Sequence, residues 1–179
     1  MSAIEEILQS SLKPKEKQTR LVKAIVSGAI PVKEFMAFFQ SATGAHKGTC
    51  ADVMKHVSEQ KPALLAPYLD ILIKHVNFPL PRVKWGVPEA IGNLAKEYPA
   101  QAAKAIPNLL RNTTDDPVNT TVIRWCAAFA LAEIAKNHPA SRKQLVPVFE
   151  QIITREKNTG VKNLYVQTLK MIKKDNERE

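Results

Sequence analysis

Long apolar runs are missing from this chain. No stretch approaches the roughly 18 consecutive apolar residues that a membrane span needs. The N-terminus has Glu5 and Glu6 and no apolar segment behind a basic start, so it does not read as a secretory signal. The expected setting is cytoplasmic, with no membrane partner. On that reading the sequons Asn112-Thr113-Thr114 and Asn119-Thr120-Thr121 are dismissed as glycosylation sites. Cysteine is scarce: Cys50 and Cys126 are the only two, read as reduced, small core hydrophobes. The four histidines, His46, His56, His75 and His138, show none of the short fixed spacings of metal ligands. No metal and no cofactor is expected. Also absent are a phosphate-binding loop, a dinucleotide fingerprint, and Ser-His-Asp or Cys-His nucleophile arrangements.

Charge of one block is missing too. Lys and Arg number 26 against 17 Asp and Glu, a net charge of +9, but the excess is spread along the chain. Such a balance suits an anionic partner and equally suits plain solubility. Apolar content of 45% and charged content of 24% are those of a folded domain with a continuous core.

What is present is a repeat. Lys47-Gly48-Thr49-Cys50-Ala51-Asp52-Val53-Met54 recurs in outline as Lys84-Trp85-Gly86-Val87-Pro88-Glu89-Ala90-Ile91, then as Arg124-Trp125-Cys126-Ala127-Ala128-Phe129-Ala130-Leu131. A fourth copy is Lys162-Asn163-Leu164-Tyr165-Val166-Gln167-Thr168-Leu169. The leading cations lie 37, 40 and 38 residues apart. Pro31, Pro67, Pro107 and Pro147 keep step, 36, 40 and 40 apart. Each unit therefore reads as a proline-bearing helix, a turn, and a helix headed by a cation. A period near 40 with two helices per unit marks helical repeat arrays.

The residues resemble the HEAT repeat family. The acidic turn Asp115-Asp116-Pro117 ahead of Ile123-Arg124 carries the likeness, as do the first-helix prolines and the small-residue pattern of the second helices. The resemblance covers residues 31–174. It implies an all-α fold, a right-handed α-α superhelix of helix pairs with the second helices lining a concave groove. The expected organisation is capping helices at 1–28, repeats at 29–62, 63–100, 101–140 and 141–174, and a polar tail at 175–179.

Helices are expected at 2–12, with Ile4, Ile7, Leu8 and Leu12 on one stripe and Ser2 and Glu5 as a capping box, and at 15–27, stopped by Gly28. Phe35, Phe38 and Phe39 read as core. Tyr98-Pro99 and His138-Pro139 each close a unit, and Asp115-Asp116-Pro117 stops one helix and caps the next.

At about 100° per residue, Val83, Val87, Ala90, Ile91, Leu94 and Tyr98 share one face of the second helix of repeat two. Trp85, Glu89, Gly92 and Lys96 lie opposite. In repeat three Ile123, Ala127, Ala130, Leu131 and Ile134 point inward, and Trp125, Phe129, Ala132 and Lys136 point away. Trp85 and Trp125 thus hold the same repeat position, taken by Gly48 and Asn163 in the outer repeats. Two readings stand: a recognition platform, or packing against the neighbouring repeat. The ladder Lys47, Lys84, Arg124 and Lys162 is expected to tie repeats together, with Asp115 or Asp116 as the partner of Arg124; its alternative is a basic edge extended by Lys96 and Lys136.

The function expected is non-catalytic binding of a protein or peptide through the groove, with Trp85, Trp125, Glu89, Phe129, Lys96 and Lys136 as contact residues. The alternative is nucleic-acid binding, since aromatics among cations suit stacked bases and phosphates. An enzyme reading follows from a further likeness, to DNA glycosylases that remove alkylated bases on HEAT-like repeats; Glu89 would be its acid. That family uses Asp and longer chains, and repeat three offers Phe129 in place of a second carboxylate.

Overall fold

The structure is a computed structural model and describes residues 1–178. Those residues are all-helical, with eleven α-helices, three short 3-10 turns and no strand. The helices are α1 (Ala3–Gln9), α2 (Pro14–Ser27), α3 (Val32–Ser41), α4 (Gly44–Gln60), α5 (Leu69–His75), α6 (Pro81–Leu94), α7 (Pro99–Ala103), α8 (Ile106–Leu110), α9 (Thr121–Asn137), α10 (Arg142–Arg155) and α11 (Thr159–Asn176). The long helices pack in chain order: α2 on α4, α4 on α6, α6 on α9, and α9 on α11. The intervening elements pack against the long helix that follows them, α3 on α4, α5 on α6, α8 on α9 and α10 on α11. None of these helices is long and apolar enough to cross a membrane.

Local chemistry sets the ends. Ser2 accepts from the Glu5 N–H and Glu5 Oε2 accepts from the Ser2 N–H at 2.7 Å, a reciprocal capping box. Gly28 ends α2 at φ +83°, a left-handed conformation open to glycine without strain. Helix α1 stops at Gln9, so Leu12 lies beyond it and is half-buried in the connection to α2.

The spaced prolines do not sit in four equivalent helices. Pro31 precedes α3, Pro67 lies in a 3-10 turn, and Pro107 is in the first turn of α8. None of these needs a hydrogen-bonded N–H. Only Pro147 interrupts a continuous helix, α10. The first helix is consequently broken in the two middle units, into two 3-10 turns and α5, then into α7 and α8. Pro99 opens α7, directly after Tyr98.

Asparagines and cations close the frayed ends. The last carbonyls of a helix have no partner within it. Asn108 donates to Ile73 O at 2.9 Å and Asn112 to Val76 O at 3.2 Å, at the end of α5. Lys47, only 2% exposed, donates to Phe39 O, Gln40 O and Ala42 O at the end of α3. Arg142 does the same for Ala135 O and Lys136 O at the end of α9, and pairs with Asp175 at 3.1 Å. That last contact holds the end of α11, so helix continues through Asn176 where a polar tail is expected from residue 175. Glu179, the end of that expected tail, lies outside the described residues.

Helix α6 is the tightest element. A Cβ on Gly86 would lie 2.4 Å from the Ala51 carbonyl oxygen of α4, and a Cβ on Gly92 would lie 2.7 Å from the Phe129 ring of α9. Helix α6 therefore meets the backbone of α4 at Gly86, and at Gly92 it meets first the Phe129 ring of α9 and then the Ala130 Cα, 3.1 Å from such a Cβ. Gly92 and Ala132, both expected to point away from the core, are buried, Gly92 at the contact with α9. A helix flanked on two sides has less open surface than a single apolar stripe suggests.

Candidate functional site

The outward face of the long helices is built from two seams of different chemistry. Between α4 and α6 it is polar. Arg82 forks onto Asp52, Lys55 pairs with Glu89 at 2.9 Å, and Asn93 donates to Ser58 Oγ at 3.0 Å. Between α6 and α9 it is apolar, Phe129 lying over Gly92. Glu89 bridges the two seams, since Cys126 of α9 approaches Glu89 Oε1 at 3.5 Å. Burial first, then the Glu89 charge, raises the Cys126 thiol above its ordinary range, so it stays protonated and donates. Burial likewise pushes Cys50 up to about 12. Both cysteines are free and buried. Glu89, the acid of the glycosylase reading, is occupied by Lys55 and Cys126 and mostly buried.

The two tryptophans part company here. Trp85 is half-buried, and its Nε1 is sealed from solvent without a hydrogen-bond partner. Trp125 is 37% exposed and lies flat on Phe129, with ring planes 3° apart and centroids 5.7 Å apart. Along the same edge of α9, Val122 is 50% exposed, and Val118 in the preceding turn is 65% exposed. Residues 122, 125 and 129 follow helical spacing and share one apolar edge of α9, with the exposed Val118 in the turn that leads into it. Val118 also lines a groove of about 320 Å³ with Pro79, Leu80, Lys84, Pro117 and Ile123, where the N-terminal ends of α6 and α9 meet. These two valines are not among the expected contact residues. The signal for Val122 was the three-residue step to Trp125 on one helix; Val118, in the turn before α9, carried none.

Lys96 and Lys136 differ in the same way. Lys96 is exposed, beside Asn93 and Ser58 in a shallow polar groove. Lys136 pairs with Glu133 at 2.8 Å, one turn away.

The basic ladder does not work as one device. Arg124 is 5% exposed and is held on three sides. It meets Glu156 through Nε at 2.9 Å and Nη2 at 3.2 Å, and Nη1 reaches Asp115 at 2.8 Å and Asn119 O at 2.9 Å. Burial alone would raise the Glu156 carboxyl; hydrogen bonds from Arg124 and the Asn158 backbone outweigh it and hold the carboxyl below its usual range. Asp116 accepts instead from the Val118 and Asn119 N–H groups, shaping the turn. It does not cap α9, whose N-cap is Thr120 without a side-chain bond. Lys47 uses carbonyls and the Phe39 and Phe78 ring faces, at 4.7 and 4.9 Å. Lys84 is buried and Lys162 half-buried, and among the described residues neither forms an ion pair. The uniform sequence position thus serves two different local needs, in Arg124 and in Lys47.

Among the described residues no group of three or more His, Cys, Asp or Glu is placed to hold a metal ion. Compared with known proteins, the chain matches no family model, no curated protein and no solved structure.

Proposed function

We propose that this chain is a non-catalytic binding protein that engages a segment of a protein partner along the apolar edge of α9. The single observation that carries this is the exposed edge of α9, Val122 and Trp125, with Trp125 stacked on Phe129. A planar aromatic already stacked on a neighbour loses little freedom when a partner covers it, and such residues anchor interfaces. The residue period supports a HEAT-like array in which α2, α4, α6, α9 and α11 are the second helices of a right-handed superhelix and line its inner wall. On that reading the stripe lies in the groove, and the Lys55–Glu89 and Arg124–Glu156 contacts brace neighbouring repeats.

The test is crosslinking from a photoreactive residue at position 122, followed by binding of the recovered partner segment as a purified peptide. Trp125→Ala should weaken that peptide by about 2 kcal/mol, roughly thirtyfold. Unchanged affinity would sink the proposal. A second reading, nucleic-acid binding, is favoured by one observation, the exposed Lys96 on a chain of net charge +9. It requires affinity for DNA or RNA that falls steeply with salt, with a shallower slope in Lys96→Ala.

A further inference from the structure

We propose that the seam between α2 and α4, away from the α9 stripe, is a separate docking site for an acidic amphipathic helix of a partner protein. A groove of about 490 Å³ runs there, lined by Lys15, Thr19, Val22, Lys23 and Val26 of α2 and by His56 of α4. Its floor is apolar, made by the two valines. Its rim carries Lys15 and Lys23, both exposed, side chains long enough to cover apolar surface with their stems while the ammonium groups stay in water.

The charge of this edge is unbalanced. Helix α2 and its cap carry Lys13, Lys15, Lys17, Arg20 and Lys23 against one acid, Glu16. Glu16 is turned back onto the Lys13 N–H at 2.8 Å, and Lys17 is used on Leu8 O at 2.7 Å. The nearest acid on the α4 side, Glu59, faces His56 at 3.0 Å. Among the described residues Lys13, Lys15, Arg20 and Lys23 form no ion pair.

Spacing selects the occupant. Lys15 and Lys23 are eight residues apart on one edge of α2, about 12 Å at the helical rise. A helix laid in the groove meets them with carboxylates about two turns apart and covers the valines with the apolar side chains between. This is helix-in-groove recognition with charge complementarity at the rim. Single-stranded nucleic acid is less suited, because the groove has no Phe, Tyr or Trp on which bases stack and its one ring, His56, faces the Glu59 carboxylate.

The probe is a labelled, blocked 15-residue peptide of Leu, Ala and Glu, with an apolar stripe flanked by Glu residues eight apart, titrated against the full chain by fluorescence polarisation. Saturable binding is expected, weakened about tenfold by Lys15→Glu with Lys23→Glu, as the loss of two half-exposed ion pairs would do. Lys104→Glu with Lys143→Glu, the same charge change at exposed positions elsewhere, should leave it unchanged. Thr19→Trp, which fills the groove at constant charge, should also weaken it, and decides the matter if the charge-reversed variant melts early. The proposal is overturned by no saturable binding, by equal loss in both charge variants, by equal binding of a peptide with Lys in place of Glu, or by displacement of the peptide by a DNA duplex of higher affinity. Binding at the α9 stripe is read by Trp125→Ala and can fail or succeed independently.

Discussion

Trp85 and Trp125 occupy the same position of adjacent repeats, 40 residues apart, yet one is a wall and the other a handle. Their neighbours make the difference. Four residues after Trp85 stands Glu89, drawn to Lys55 of α4; four residues after Trp125 stands Phe129, a flat surface on which the indole lies. Three residues before them stand Arg82, forked onto Asp52, and Val122, open to solvent. Beside the polar ladder between α4 and α6 the first tryptophan is half-buried with its Nε1 sealed, and beside the apolar seam beyond α6 the second is exposed. A repeat position fixes the direction of a side chain; the adjoining helix decides whether it is covered.

The largest effect should come from the brace beneath the second seam. Arg124→Met leaves Glu156, 3% exposed, without its cation, and should cost about 3–5 kcal/mol in denaturant melts. The carboxyl of Glu156 is lower in pKa folded than unfolded. Its contribution is therefore present above the unfolded carboxylate value and is lost as pH falls through the lowered folded value. Stability of wild type and Glu156→Gln should differ at neutral pH and converge in acid. A constant difference across that range would mean that the pairing contributes nothing ionic.

The two faces of α6 come next. Gly86→Ala meets a backbone carbonyl that cannot move alone and should cost about 3 kcal/mol. Gly92→Ala meets the Phe129 ring, which can turn aside, and should cost about 1–2 kcal/mol. It should also disturb the Trp125 stack, visible in near-ultraviolet circular dichroism. Equal costs would erase the distinction between a backbone seam and a side-chain seam.

The tryptophans themselves separate last, with the smallest effect of all at Trp125. Trp85→Ala should cost about 2–3 kcal/mol, as a partly buried truncation. Trp125→Ala should stay within about 1 kcal/mol, as surface changes do. Reversed values would move the candidate site from α9 to α6.

Much of the local structure was legible because its causes are local. Ser2 with Glu5, Gly28 after an apolar stripe, and Asp115 nine residues before Arg124 are short-range signals. What was not legible depends on neighbours distant in sequence. Glu156 lies 32 residues from Arg124, and nothing in either stretch names the other. The spaced prolines announced a period but not that Pro67 would lie in a 3-10 turn and Pro107 in the first turn of α8 while Pro147 sits inside one continuous helix. Helical-wheel angles placed Gly92 and Ala132 opposite the core, yet a helix between two others buries those positions as well. The site was half legible for the same reason: the wheel found both tryptophans and Phe129, and could not tell which indole the next helix would cover.

The most direct test of the contrast is collisional quenching of tryptophan fluorescence. Trp85→Phe and Trp125→Phe each leave one indole in the folded chain. Acrylamide should quench Trp125, the indole left in the first variant, severalfold more effectively than Trp85, the indole left in the second, and Trp85 should emit at shorter wavelength. Equal quenching, or stronger quenching of Trp85, would contradict the claim that the α9 edge is open while the equivalent edge of α6 is closed.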